Sequence, residues 1–162
     1  MSEEQNQENE QERTKRPIDY ALYRGINGKQ GAVQFSLKPA YSGQRDSGAV
    51  LIDAAPATGP NKYDWANKIV FALNPNDIGQ ILVGFGGGKC DIYHDPNAGN
   101  AEKRNAVSKR LVLAAGTEGS FKFSLSEKSG EVQKNVTIFI QPHEVLVLRA
   151  LLVSALPKIL GW

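Results

Sequence analysis

Pro142-His143-Glu144-Val145-Leu146-Val147-Leu148-Arg149-Ala150-Leu151-Leu152-Val153-Ser154-Ala155-Leu156-Pro157-Lys158-Ile159-Leu160-Gly161-Trp162 closes the chain and decides how the rest must fold. Pro142 suits the first helical position, where its missing N–H costs nothing. Glu144 falls in the first turn, where the helix dipole favours negative charge. Pro157 is expected to end the helix, because its ring clashes with the preceding turn. From Val145 to Leu156 only Arg149 and Ser154 are polar. A helix apolar all round must be covered all round, and this one falls short of the roughly 20 apolar residues that span a membrane. One side is expected to pack on the protein's own sheet. The other is expected to pack on a second copy, with Leu148, Leu151, Leu152 and Ala155 as the contact residues. The alternative is a helix wholly buried in a monomer. A chain of 162 residues has few other elements to cover it, which favours the second copy.

Working back from that helix, Ile138-Phe139-Ile140-Gln141-Pro142-His143-Glu144-Val145 has a counterpart in Phe71-Ala72-Leu73-Asn74-Pro75-Asn76-Asp77-Ile78, 67 residues earlier. Both read as an apolar strand, an amide residue, a proline at a helix start, an acid two residues on and a β-branched residue. The preceding pattern divides likewise. Expected strands run over 18–24, 32–38, 49–55 and 68–73, with a helix over 76–83. They then run over 90–94, 109–114, 121–126 and 136–140 before the long helix. Val33, Phe35 and Leu37 alternate with Gln34, Ser36 and Lys38, the period-two mark of a half-buried strand. Residues 42–48, 56–61 and 95–107 read as turns and loops. Each half is therefore four strands followed by a helix, an internal repeat over 18–84 and 89–160 within one domain spanning 18–162. Residues 1–17 are Glu/Gln/Asn-rich and almost without apolar side chains, so they are expected to be a disordered acidic tail.

Charge is unevenly spread. Glu3, Glu4, Glu8, Glu10 and Glu12 stand in residues 1–12 without any Lys or Arg. The other 150 residues carry 19 basic and 12 acidic side chains (17 − 5), or +7. Such a body favours a polyanionic partner. Cys90 is the single cysteine, which excludes an intramolecular disulfide and points to a reducing compartment. Residues 1–17 resemble neither a signal peptide nor a transit peptide. The expected location is cytoplasmic, in a bacterial nucleoid-associated setting, or an organelle if a transit peptide has been removed.

Enzyme chemistry finds little support. Gly84 to Lys89 lacks the Ser or Thr of a phosphate-binding loop, and its glycines close a helix rather than open one. His94 and Asp95 are adjacent on a strand and point to opposite faces, unlike a triad's base and orienter. His94, His143 and Cys90 stand in settings that do not make a zinc site. No enzyme activity, metal or cofactor is expected.

What remains is a basic, aromatic, strand-rich surface. Single-strand binding without strict sequence reading needs cations along a groove and ring faces for bases. Lys29, Gln34, Lys38, Lys68, Lys109, Arg110 and Lys122 are the candidate phosphate contacts. Tyr20, Tyr23, Phe35, Tyr41 and Trp65 are the candidate base contacts, although alternation sets Phe35 with the core.

Several stretches together resemble the Whirly family of single-stranded-DNA-binding proteins. They are Asp46-Ser47-Gly48; Tyr63-Asp64-Trp65 followed by Lys68 and Phe71-Ala72-Leu73; Asp77-Ile78-Gly79; Tyr93-His94-Asp95-Pro96; and Leu156-Pro157, Ile159, Gly161 and Trp162. The resemblance spans roughly residues 20–162. It implies an α+β fold of two four-stranded antiparallel sheets, each followed by a helix. It also implies a homotetramer assembled through its helices, with single-stranded DNA along the sheet surfaces and between neighbouring protomers, in genome maintenance, repair or transcription regulation. One departure concerns the family's "KGKAAL" at the second strand. Here Lys29-Gln30-Gly31-Ala32-Val33-Gln34-Phe35 lacks the paired lysines, which leaves assembly beyond the tetramer open. An RNA-binding protein of related fold, and a transcription cofactor acting through its acidic tail, are the alternatives.

Overall fold

Twelve elements follow one another in the computed structural model, which describes residues 20–25, 30–41, 44, 47–95 and 107–162. The acidic tail, Lys29 and most of the 95–107 loop lie outside these residues. The first half holds β1 (Tyr20–Tyr23), β2 (Gly31–Lys38), β3 (Ala49–Gly59), the two-residue β4 (Lys62–Tyr63), a 3-10 turn (Trp65–Asn67), β5 (Ile69–Leu73) and helix α1 (Pro75–Phe85). The second holds β6 (Cys90–His94), β7 (Ser108–Ala115), β8 (Phe121–Ser129), β9 (Val132–Ile140) and helix α2 (Pro142–Leu160).

Each half builds one antiparallel sheet. The first runs β1-β2-β3-β5, with β4 added against the far end of β3, and the second runs β6-β7-β8-β9. Directly paired residues share a face, so register sorts the side chains. Tyr20, Phe35, Ile52 and Phe71 face inward in one row, as do Cys90, Leu113, Phe123 and Ile138 in another. Phe35 meets Phe123 with ring centroids 6.1 Å apart, and the inner faces of both sheets join the helices in a single apolar cluster. Where β2 passes β9, a Cβ on Gly31 would sit 2.6 Å from Val136 Cγ1 and collide with the Ala55 carbonyl, so only glycine fits there.

The repeated helix-start motif has a shared chemistry. Asp77 Oδ2 accepts from the Asn74 amide at 3.1 Å while Asn74 Oδ1 accepts from the Asp77 amide at 2.9 Å, a reciprocal cap. At α2, Glu144 Oε2 accepts from the Gln141 amide at 2.8 Å. The proline in each motif gives up no bond, and the acid satisfies a free N–H at the positive end of the helix.

The structure corrects three boundaries. β3 does not stop at Ala55 but runs to Gly59. The chain reverses at Asn61, which takes a positive φ of 56°, and returns as β4. The β8–β9 hairpin is longer than expected, because its far end pairs polar residues such as Glu127 with Lys134, where there is no apolar alternation to read. Pro157 does not end α2. The helix continues to Leu160 and stops at Gly161, whose left-handed φ of 75° lets the Trp162 amide bond back to the Pro157 carbonyl at 2.9 Å. The last turn is held from outside. Lys158 and Ile159 carbonyls accept from the Ala40 and Gly48 amides at 3.0 and 3.3 Å, which satisfies two last-turn carbonyls that have no partner within the helix.

One ion pair ties the halves together. Arg24, just after β1, donates to Glu144 of α2 and to the Phe139 carbonyl at the end of β9. Burial opposes charge on Glu144. The Arg24 guanidinium, the Gln141 amide and the nearby positive charges outweigh it and hold the carboxyl below its ordinary range. A depressed carboxylate stabilises the fold above its unfolded-state pKa and loses that contribution as pH falls through the folded-state value. Glu144→Ala is therefore expected to lower the unfolding free energy by about 1–3 kcal/mol at neutral pH. The gap to wild type should close as urea titrations are repeated at pH values descending through and below the usual carboxylate range.

Candidate nucleic-acid interface

With both inner faces committed to the core, each sheet keeps an outer face. On the first sheet the outward row Ala21, Gln34, Asp53 and Val70 crosses β1, β2, β3 and β5. Tyr23 shares this face and is half exposed. Its ring lies 5.6 Å from that of Tyr63, which in turn lies 6.3 Å from that of Trp65, all tilted by about 50°. The three rings form a short ladder at one end of the sheet. Hydrogen bonds fix its members: Gln34 Nε2 donates to the Tyr23 hydroxyl at 3.2 Å, and the Gly25 amide donates to the Tyr63 hydroxyl at 2.9 Å. Asp64 accepts from the Asn67 amide and side chain, closing the turn that carries Trp65. This capping function explains the acid between the two rings of Tyr63-Asp64-Trp65. At the other end of β2, Lys38 Nζ sits 5.6 Å over the exposed ring of Tyr41.

The expected contacts divide sharply. Tyr23, Gln34 and Trp65 come together around the ladder, and Lys38 and Tyr41 form a separate pair. Phe35 is excluded, since it is 5% exposed and packs on Phe123. Tyr20 faces inward beside it and packs against the core; burial first, then the Glu144 charge, raises its hydroxyl pKa. Several cations are already occupied. Lys68 Nζ binds Asp53 Oδ2 at 2.7 Å. Lys109 donates to the Val70 carbonyl at 2.5 Å and stands 3.8 Å from Glu127, bridging the sheets rather than facing a ligand. Arg110 grips Asp91 with two bonds of 2.8 and 2.5 Å on the second sheet's outer face. That contact holds the Asp91 carboxyl below its ordinary pKa. Lys122 is exposed on the same face, paired in register with Phe139. Lys29 lies outside the described residues.

The expected oligomerisation set is corrected in the same way. Leu148, Leu152 and Ala155 are buried within the protomer, together with Val145 and Ile159, and of the four only Leu151 is exposed. The exposed large apolar residues of α2 are Leu146, Val147, Leu151 and Val153, on the opposite side of the helix. The inward side of the helix also lines a crevice of about 220 Å³ with Phe35, Leu37 and Val50.

Three further exposed rings, Tyr93, Phe139 and Trp162 at the end of the chain, lie outside the set expected from sequence; the first two are on strands. Alternation of Asp91 and Tyr93 with Cys90 and Ile92 signals the first. Phe139 is hidden in the unbroken run Ile138-Phe139-Ile140. His94, expected to have no catalytic partner in Asp95, instead meets Asp77 Oδ2 at 3.0 Å and stacks on Phe71 at 4.3 Å, pinning β6 to the start of α1. Among the described residues no cluster of His, Cys, Asp or Glu is arranged to hold a metal, and no helix is long and apolar enough to cross a membrane.

A family model described as Whirly transcription factor matches residues 29–151, most of the chain. The chain belongs to the Whirly family. Among its relatives are single-stranded DNA-binding protein WHY1, chloroplastic, of Solanum tuberosum, 30% identical over 154 residues (90% of this chain, 55% of the relative). Another is single-stranded DNA-binding protein WHY3, chloroplastic, of Arabidopsis thaliana, 33% identical over 118 residues (71% of this chain, 44% of the relative). This Whirly chain thus spans about half the length of the curated relatives it matches. The crystal structure of WHY1 from Arabidopsis thaliana superposes with a TM-score of 0.74 at 28% identity, covering 88% of this chain and 90% of that one. The two-sheet, two-helix architecture above is the Whirly fold.

Lys68 illustrates how this face serves stability as well as charge. Asp53 is largely buried, and its Oδ1 has no hydrogen-bond partner among the described residues. Lys68→Ala is expected to cost about 1–3 kcal/mol of unfolding free energy by stranding that carboxylate. Lys122→Ala, at an exposed site without an ion pair among the described residues, should stay within about 0.5 kcal/mol of wild type. Urea denaturation of the two variants side by side checks the contrast.

Proposed function

We propose that this protein binds single-stranded DNA with little sequence preference, as a non-enzymatic homotetramer acting in genome maintenance or transcription regulation. The observation that carries the reading is the aromatic ladder Tyr23–Tyr63–Trp65 on an outer sheet face, with exposed Lys38 and Lys122 at other points of the outer surfaces. Ring faces accept any base, and lysines meet phosphates, so neither reads base edges. A duplex would need a basic element for its major groove. Both helices here give their inner sides to the core, and α2 offers mainly apolar residues outside. The names of the relatives support the same ligand, and the description of the family model supports a part in transcription. Their chloroplastic names favour the organellar over the bacterial reading of its location.

An exposed apolar face of α2 supports the assembly. Leu146, Ala150 and Val153 line up with Val147, Leu151 and Ser154 over nearly half the helix circumference, at about 100° per residue. All six are exposed in the single chain. Burying such a face against other copies removes apolar area from water at about 25 cal/mol per Å² and leaves the sheets projecting outward.

Binding of a fluorescent oligothymidine should weaken as salt rises, with a log–log slope of about −0.7 per phosphate neutralised, and a duplex of equal length should bind less tightly. Indifference to the single strand at low salt would overturn the reading. Light scattering on the same sample should give the mass of a tetramer. Leu146→Glu with Val153→Glu should reduce it to smaller species without lowering the urea midpoint of the protomer, whose core these residues do not enter.

A further inference from the structure

Trp162 is 92% exposed, more than any other large apolar side chain among the described residues. Its backbone is nevertheless fixed. Gly161 takes a left-handed φ of 75°, and the Trp162 amide donates to the Pro157 carbonyl at 2.9 Å, so the indole leaves the end of α2 at a set point. A covered aromatic side chain buries about 150–250 Å², and the single chain covers almost none of this one.

One turn earlier, the same helix borders the crevice of about 220 Å³. Phe35, Leu37 and Val50 form one wall, and Leu148, Leu152 and Ala155 of α2 the other. Leu151, Ser154 and Lys158, all exposed, stand at its mouth. Protein interiors hold few voids larger than one water. This gap equals the share of about seven liquid waters at roughly 30 Å³ each, so sheet and helix are incompletely packed in the lone protomer. It suits one aromatic side chain. A turn of helix, about 10 Å across and 5.4 Å long, does not fit.

The exposed stripe of α2 joins ring and crevice. Its two rows, from Leu146 to Val153 and from Val147 to Ser154, continue at about 100° per residue into Pro157 and Lys158, which are exposed too. Leu151, Ser154 and Lys158 therefore belong both to the stripe and to the crevice. A copy that covers the stripe meets the mouth of the crevice, and the indole stands a turn beyond that mouth. The chemistry matches as well. Apolar walls suit the ring. A buried indole N–H needs an acceptor, which the Ser154 hydroxyl can supply, and the Lys158 ammonium suits the face of the ring.

We infer that in the assembly the Trp162 indole of one copy fills this crevice of another. The inference rests on the assembly reading above and names the side chain that a neighbour contributes to a site incomplete without it. Ring and crevice are different patches of the surface, so the contact closes either reciprocally in a pair or head to tail around a ring of copies.

The test uses the full chain with Trp65→Phe, which leaves Trp162 as the single indole. Light scattering gives the mass, while the emission maximum and acrylamide quenching report the indole in the same sample. At concentrations that give the tetramer, emission should be blue-shifted and quenching weak. Dilution to lone protomers should reverse both. In the unaltered chain, Trp162→Ala should raise the concentration of half-dissociation by about 30-fold or more, the effect of truncating a buried interface tryptophan. Ser154→Phe, which sets a ring at the crevice mouth, should return Trp162 emission to the red while circular dichroism shows the fold intact. Emission still blue-shifted in that variant would place the indole elsewhere and overturn the inference. A tetramer whose Trp162 is quenched as readily as in the diluted protomer overturns it too, and leaves the assembly reading standing. An indole already shielded in the diluted protomer overturns it because the ring then lies on its own chain. If no concentration gives more than a single chain, both readings are overturned.

Discussion

A helix that is apolar around its whole circumference has to be covered on two sides, and the architecture of this protein follows from that constraint. Val145, Leu148, Leu152, Ala155 and Ile159 turn one side of α2 into the common core, where both sheets and α1 meet it. The helix is fixed at each end by contacts from the first half of the chain: Arg24 reaches Glu144 at its start, and Ala40 and Gly48 amides close its last turn. Those contacts couple the two halves into one body, and the Ala40 and Gly48 amides satisfy carbonyls that the end of the helix leaves free. The other side of α2 keeps Leu146, Val147, Leu151 and Val153 in water in the single chain. That face carries a hydrophobic penalty as long as it stays in water.

Because the inner faces are spent on packing, only the outer faces are free for a ligand, and these are not simply positive. Lys68, Lys109 and Arg110 are each paired with an acid or a carbonyl of the protein. Exposed ion pairs contribute little to stability, but they change what a passing phosphate meets. At Arg110 the charge is compensated while donors remain. At Lys68 the cation is tied to a carboxylate that is itself largely buried. The aromatic component is better defined, since ring contacts and hydroxyl hydrogen bonds hold Tyr23, Tyr63 and Trp65 in one ladder.

Elements whose signals are local were legible in the sequence. β6 falls on residues 90–94 as read, and β2 and α1 differ from their expected ends by no more than two residues. Alternation, the Asn-Pro and Gln-Pro helix starts and the glycines after α1 each act over a few residues. The family resemblance, carried by Tyr63-Asp64-Trp65 and the other motifs, agreed with the fold. Boundaries failed where a longer-range contact overrode the local signal. β3 continues through Pro56 because the Pro56 carbonyl accepts from Asp64 while the Ala57 amide donates to Gln30. The β8–β9 hairpin extends beyond the core, where its alternation turns polar on both faces.

The candidate site divides along the same line. Residue type and period were enough to set Gln34 and Lys122 outward and to cast doubt on Phe35, because side-chain direction in a strand is a property of the backbone. Which side of an all-apolar helix turns inward was not, since Leu148 and Leu151 are equally apolar, and packing alone buries one and exposes the other. Nor can sequence tell a free lysine from a paired one: Asp53 is 15 residues from Lys68, and Asp91 is 19 from Arg110. By itself the sequence determined the strand-and-helix order, the faces of the strands and the need for a cover on α2, all consequences of local geometry and hydrophobicity. Only the tertiary structure decided which cations are spent, which rings stand together and which half of α2 stays exposed, because those depend on distances between residues far apart in the chain.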